Sequence, residues 1–190
     1  GYTGLETAMI KKSNLNFAIA VFLILLAVSL RLLPHPANFA PVAAVAIFGG
    51  AVLPRRLAVW VPFVAMALSD LVIGFYNIMP VTWGCYVLIA LASSYWLRKP
   101  GFLRGISLTL SSSLFFFIVT NFAVWLWSSM YAHTWSGLAQ CYTMALPFFR
   151  NTALSDLFYT ATLFAVYVLA TKAGVRLLAV GAKSAGVKNT

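Results

Sequence analysis

Two carboxylates and one thiol stand out as the groups in this chain that could do chemistry, because almost everything around them is apolar. Beyond the first few residues the acids are Asp70 and Asp156, and each sits in the same run, A-L-S-D-L, at residues 67–71 and 153–157. An acid inside a membrane-spanning helix costs roughly 2.5–3.5 kcal/mol on insertion scales, so it marks a candidate functional site and requires a partner. Cys85 lies in the run Thr82-Trp83-Gly84-Cys85-Tyr86. As a thiolate it is a soft ligand for a transition metal, as a thiol it is a small buried hydrophobe, and with Cys141 it is a disulfide candidate. His35 and His133 stand at no zinc-type spacing from another ligand, so no permanent protein-bound metal is expected. There is no Gly-rich phosphate loop, no G-x-S-x-G elbow and no H-E-x-x-H pair, and an ATPase domain does not fit in the length. Any pumping then draws its energy from another protein or works without ATP.

The elements that position these groups follow from composition. With 62% hydrophobic residues, 8% charged residues and a mean hydropathy of +0.92, against about 25% charged residues in soluble domains, the chain reads as an all-α polytopic membrane protein. Its formal charge of +10 is spread in short Lys and Arg clusters between apolar runs. That pattern speaks of membrane topology and excludes nucleic acid as a partner. Residues 1–8 read as an expression-tag remnant ahead of a start at Met9, and residues 9–190 as a single membrane domain. Apolar runs bounded by Pro, Gly and charge predict six transmembrane helices over 15–33, 38–53, 57–76, 82–97, 106–127 and 152–171. The second opens among Pro34, Pro36 and Pro41, and irregular backbone at membrane depth is tolerated where it is buried or lines a cavity.

With both termini cytoplasmic, the inner segments hold eleven Lys and Arg residues and the outer segments two, Arg31 and Arg150, which satisfies the positive-inside rule. The longest connection, 128–151, is then outside, with the length of a lid or binding loop. Counted from the outer helix ends, Asp70 and Asp156 both lie roughly 6–9 Å below the surface. Asn38 and Asn121 open two copies of Asn-Phe-Ala in the same layer, Thr152, Tyr159 and Thr160 share the Asp156 face, and Trp125 shares that of Asn121. The two halves run in opposite senses, as in an inverted-repeat transporter with its site at the repeat interface. The plainer alternative is a structural clamp in which the two acids pair with Arg31 and Arg150. Small residues four apart, such as Ala40 with Ala44, Ala46 with Gly50 and Ala161 with Ala165, permit close helix approach.

The stretch Arg31-Leu-Leu-Pro-His35-Pro-Ala-Asn38-Phe-Ala-Pro, running through Phe48-Gly49-Gly50 to A-L-S-D-L, resembles the substrate-binding S-components of energy-coupling-factor transporters. Within these it is similar to the BtuM-type vitamin B12 transporters, in which an outer-side cysteine near the start of the fourth helix binds the corrinoid cobalt. The resemblance spans residues 31–170 and rests on short motifs. It implies a vitamin-uptake protein of the bacterial inner membrane that takes a corrinoid, cobalamin or cobinamide, as transported ligand and holds no permanent cofactor. Cys85 would be the cobalt ligand, with His35, Asp70, Tyr86, Arg150 and Asp156 facing the ring and its amide rim and Trp83 and Tyr86 its flat face. A thiolate that bonds Co(III) displaces the upper axial ligand, so a cyano-corrinoid would lose cyanide. Such a protein docks on the shared energising module or acts alone. Two other classes stay open from the residues themselves: a transporter or channel for another small solute or cation built on Asp70 and Asp156, and a structural membrane protein whose polar layer is a clamp.

Overall fold

The computed structural model describes the backbone of residues 2–97 and 102–186, and side chains for residues 6–7, 9–97 and 103–173. Six α-helices follow one another: α1 (Tyr2–Leu32), α2 (Val42–Val52), α3 (Arg55–Ile73), α4 (Met79–Trp96), α5 (Phe102–Trp127) and α6 (Trp135–Gly186). Four of them, α1, α3, α5 and α6, contain stretches long and apolar enough to cross a membrane, while α2 is a shorter apolar helix. Arg98, Lys99 and Lys188, three of the eleven cations used for orientation, lie outside the described residues.

Helix α2 is the axis of the fold. Its residues from Val42 to Gly50 are all buried, and it packs against every other helix, most extensively α4. The sequence V-A-A-V-A-I-F-G-G suits that place, because Ala and Gly let neighbouring backbones approach closely. The approach is tightest at Gly50, where an added Cβ would sit 2.4 Å from the Ala90 carbonyl oxygen and 2.7 Å from the Ser93 Cβ. Ser93 also donates its hydroxyl to the Ile47 carbonyl, so α4 is pinned to α2 by contact and by a polar bond. Leu23 and Ala27 of α1, Val45 and Phe48 of α2, and Val61 and Ala65 of α3 form one core cluster. The outward faces stay apolar at Phe17, Phe22, Leu25, Trp60 and Leu68. In water this would be an unusually large exposed patch; in a bilayer it is the lipid-facing surface.

Helix boundaries depart from expectation at the outer ends, in an informative way. The expected loop over 128–151 is helical from Trp135 onward, leaving 128–134 as the connection. Thr134 caps this helix through its hydroxyl, which accepts from the Gly137 amide at 3.1 Å. Cys141 and Ala145, four residues apart, are buried on one face. Residues 135–151, expected within that loop, instead form the first turns of α6, which expose Trp135, Met144 and Leu146. Helix α2 begins at Val42 rather than at residue 38, because Asn38 adopts φ 60, a left-handed conformation that Asn tolerates better than most residues, and Pro41 opens the helix.

Replacing Gly50 by Ala should force α2 and α4 apart and lower stability by about 1–3 kcal/mol, whereas Gly49→Ala, whose Cβ would find Leu23 at 3.7 Å, should be nearly neutral. Thermal unfolding of both variants in one detergent checks this; equal losses would mean that the close approach is not what holds the two helices.

Candidate functional site

Both copies of A-L-S-D-L bury their Ser and Asp against neighbouring helices, but they neutralise the acid differently. In the first, Asp70 is fully buried near the C-terminal end of α3, and its Oδ1 lies 2.6 Å from an Arg31 guanidinium nitrogen. That contact is an ion pair rather than an aligned hydrogen bond. The same Arg31 nitrogen donates to the Ser69 hydroxyl, which in turn donates to the Ala65 carbonyl. The other carboxylate oxygen accepts from the Trp83 indole N–H at 2.7 Å. One acid thereby joins α1, α3 and α4. Arg31 sits in the last turn of α1, where a cation also complements the helix dipole.

In the second copy, Ser155 donates to the Ala40 carbonyl at 3.1 Å, and Asn151 donates its side-chain amide to the Ala37 carbonyl at 3.0 Å, so α6 is tied to the α1–α2 connection. Asp156 is 2% exposed. Its Oδ2 accepts from the Ser113 hydroxyl of α5 at 2.6 Å, and among the described residues it has no ion-pair partner.

Between these two anchors lies a cavity of about 520 Å³ to which all six helices or their connections contribute. Arg31, Tyr76 and Thr82 supply polar groups on one side, Asn121 and Asp156 on the other, and Phe116, Phe117, Phe148 and Phe149 the apolar wall. Tyr86 stacks on Phe116 with ring centroids 4.9 Å apart, and Phe117 lies 4.8 Å from Phe149. The Tyr76 hydroxyl meets that of Thr82 at 2.7 Å. Burial pushes the Tyr76 phenol above its ordinary range, so it serves as a neutral hydrogen-bonding group. The volume is in the range of small-molecule pockets, roughly 300–1,000 Å³.

The residues expected to form a site are thus divided. His35, Asn38, Tyr86, Asn121 and Asp156 line the cavity. Asp70 stands one layer behind Arg31, and Trp83 turns its ring toward Phe63 at 5.3 Å and lines a separate apolar groove. Cys85 is buried and free, one turn beyond Thr82 and outside the cavity wall, and Cys141 is free as well, donating to the Asn121 carbonyl. Tyr159 packs edge-on against Phe39, 5.9 Å away. Arg150 is exposed and forms no ion pair among the described residues. The clamp therefore exists at Arg31 and Asp70 and has no counterpart at Arg150 and Asp156. Helical geometry explains why: Arg150 precedes Asp156 by six positions on the same helix and points to a different face. The common depth of the acids also needs restating. Asp70 is one turn from the end of α3, whereas Asp156 lies about six turns into α6, whose first turns extend beyond the α1–α2 connection as a wall of the cavity.

Ser113 and the aromatic wall were not singled out from the sequence. Ser113 sits in a run of three serines, Ser111 to Ser113, inside an apolar helix, which was the available signal.

Residues 11–178 match the model of a protein family described as a family of unknown function (DUF6580). No curated protein and no solved structure matches the chain.

Removing one partner of the Arg31–Asp70 pair leaves the other charge buried, so Asp70→Asn and Arg31→Met should each cost about 3–5 kcal/mol. The double variant should cost much less than their sum. Unfolding free energies measured as a double-mutant cycle would show this as strong coupling; additive losses would mean that the pair carries no structural weight.

Proposed function

Because this chain belongs to the DUF6580 family, its role has to be read from the site itself, and we propose that it is a multi-pass uptake protein of S-component type that captures a small organic solute in the cavity beneath its outer rim. The single observation that carries this reading is a cavity of about 520 Å³ in which polar side chains from separate helices converge on an aromatic wall. A purely structural bundle would gain more by filling that space with apolar side chains than by leaving hydrogen-bonding groups around a void.

Orientation supports capture from outside. The cavity lies at the end that carries Arg31 and His35, opposite the end with Lys11, Lys12, Arg55 and Arg56, and the positive-inside rule makes the latter cytoplasmic. In that arrangement α2 and α4 cross the bilayer as well, giving six spans in a bacterial inner membrane with both termini inside. The absence of a nucleotide-binding motif leaves energising to an ECF-type module or to passive capture.

Corrinoid uptake is the second reading, favoured by one observation: Cys85 lies on α4 between two residues that line the cavity, Thr82 and Tyr86. The thiol would have to turn into the cavity to reach cobalt, and a corrin ring with its amide rim would extend beyond the pocket mouth. In this reading cyanide leaves as the Cys85 thiolate donates its electron pair to Co(III), with no change in oxidation state.

Three measurements test these readings. In a background lacking Cys85 and Cys141, Asn121→Cys should react with a membrane-impermeant maleimide on intact cells and Lys12→Cys should not; the opposite pattern would overturn outward capture. Native mass spectrometry of protein gently extracted from its membrane should show a small-molecule adduct that the cavity-filling variant Ala145→Trp lacks, and a folded wild type without any adduct would count against solute capture. Cyanocobalamin added to the purified protein should shift its visible spectrum, and fail to do so with Cys85→Ser, if the corrinoid reading holds; an unshifted wild-type spectrum would remove it.

A further inference from the structure

The charge balance of the cavity wall narrows the class of solute, on the reading that the cavity is a solute site. Arg31 and His35 are the basic residues in the wall, and Asp156 is its acid. Arg31 is already matched by Asp70, which stands behind it at 2.6 Å. His35, exposed at the mouth, has its two ring nitrogens 2.9 and 3.2 Å from the backbone carbonyl oxygens of Pro36 and Arg31, of which a neutral ring donates to one. Asn121 spends one of its two side-chain amide N–H groups on the Phe117 carbonyl of its own helix, which leaves the other N–H and its carbonyl oxygen, both uncharged, as the groups it can offer. The remaining polar groups are neutral: the hydroxyls of Tyr76 and Thr82 are bonded to each other, those of Thr120 and Thr152 donate to the Phe116 and Phe148 carbonyls of their own helices, and the Asn38 amide and Tyr86 phenol complete the set.

What remains is Asp156, 98% buried, facing the cavity, with the Ser113 hydroxyl as its one side-chain hydrogen-bond partner among the described residues. The rings of Tyr86, Phe116, Phe117 and Phe149 line the same cavity, and aromatic π systems attract a cation as well as packing an apolar body. We infer that the cavity takes an organic cation, a protonated or quaternary amine attached to an aromatic or apolar body, with the charged nitrogen toward Asp156 and the body against the Phe117–Phe149 wall. Asp70 is no part of this recognition, because Arg31 and Trp83 occupy both of its oxygens. The two copies of A-L-S-D-L thereby divide their work: the first closes the fold and the second faces the solute.

The test uses the full chain in lipid nanodiscs and three probes of one body and different charge: benzyltrimethylammonium, benzyl alcohol and benzoate. Saturable binding is read by titration calorimetry for wild type, Asp156→Asn and the cavity-filling Ala145→Trp. The expected result is wild-type affinity for the cation at least tenfold above that for the other two probes, loss of that preference in Asp156→Asn, and loss of saturable binding in Ala145→Trp. Should Asp156→Asn fail to fold, the wild-type preference among the three probes still decides. Binding that Ala145→Trp removes but that favours the neutral or anionic probe, or ignores Asp156→Asn, overturns the cation assignment and leaves solute capture standing. No saturable binding of any probe that Ala145→Trp removes overturns both.

Discussion

The buried ion pair between Arg31 and Asp70 is the constraint from which the architecture around the cavity follows. Two charges in an apolar bundle are tolerated when each is matched and its remaining hydrogen-bonding capacity is used. Here the match draws together the last turn of α1, the last turn of α3 and, through Trp83, the first turns of α4. With those ends held, the α1–α2 connection can take the irregular path that Pro34, Pro36, Asn38 and Pro41 impose, and α2 can start one layer below the rim. Ala40 and Val42, at that start, line the cavity. Such a device resists collapse of the space above it, because filling the cavity would require moving α1 or α3 and exposing a charge.

The second acid is set differently, and the contrast gives the site its polarity. Asp156 is buried to nearly the same degree as Asp70 but has a hydroxyl where the other has a guanidinium. A carboxylate in a low-dielectric wall without a cation is an unmet electrostatic demand, the kind of feature that marks functional positions in membrane proteins. The rings of Phe116, Phe117, Phe148 and Phe149 give the same cavity an apolar wall.

Much of this could be read from the residues. The all-helical fold followed from composition and run length, and Asn38, Asn121 and Asp156, which their motif contexts placed in one layer, line one cavity, although α2 and α6 start elsewhere than the count along helices assumed. Two things could not be read. The first was the start of α6: the run 128–151 reads as a connection between two apolar spans, and the Thr134 cap becomes evident only once the chain after it is seen to pack on α5 through Cys141 and Tyr142. The second was which partner each acid takes. Arg31 and Arg150 look equivalent as isolated outer cations, yet one projects across an interface and the other shares a helix with the acid it would need to reach. The Ser113 bond, 43 positions away in sequence, depends on the register between α5 and α6 and has no local signature.

A crystal structure of the protein grown in lipid, from material never stripped of its native membrane, tests the central claim most directly. The account predicts density for a small molecule in the cavity, with a nitrogen at hydrogen-bond distance from Asp156, and Asp70 still held by Arg31. A cavity closed by its own side chains, with Arg150 or another cation of the chain resting on Asp156, would contradict it.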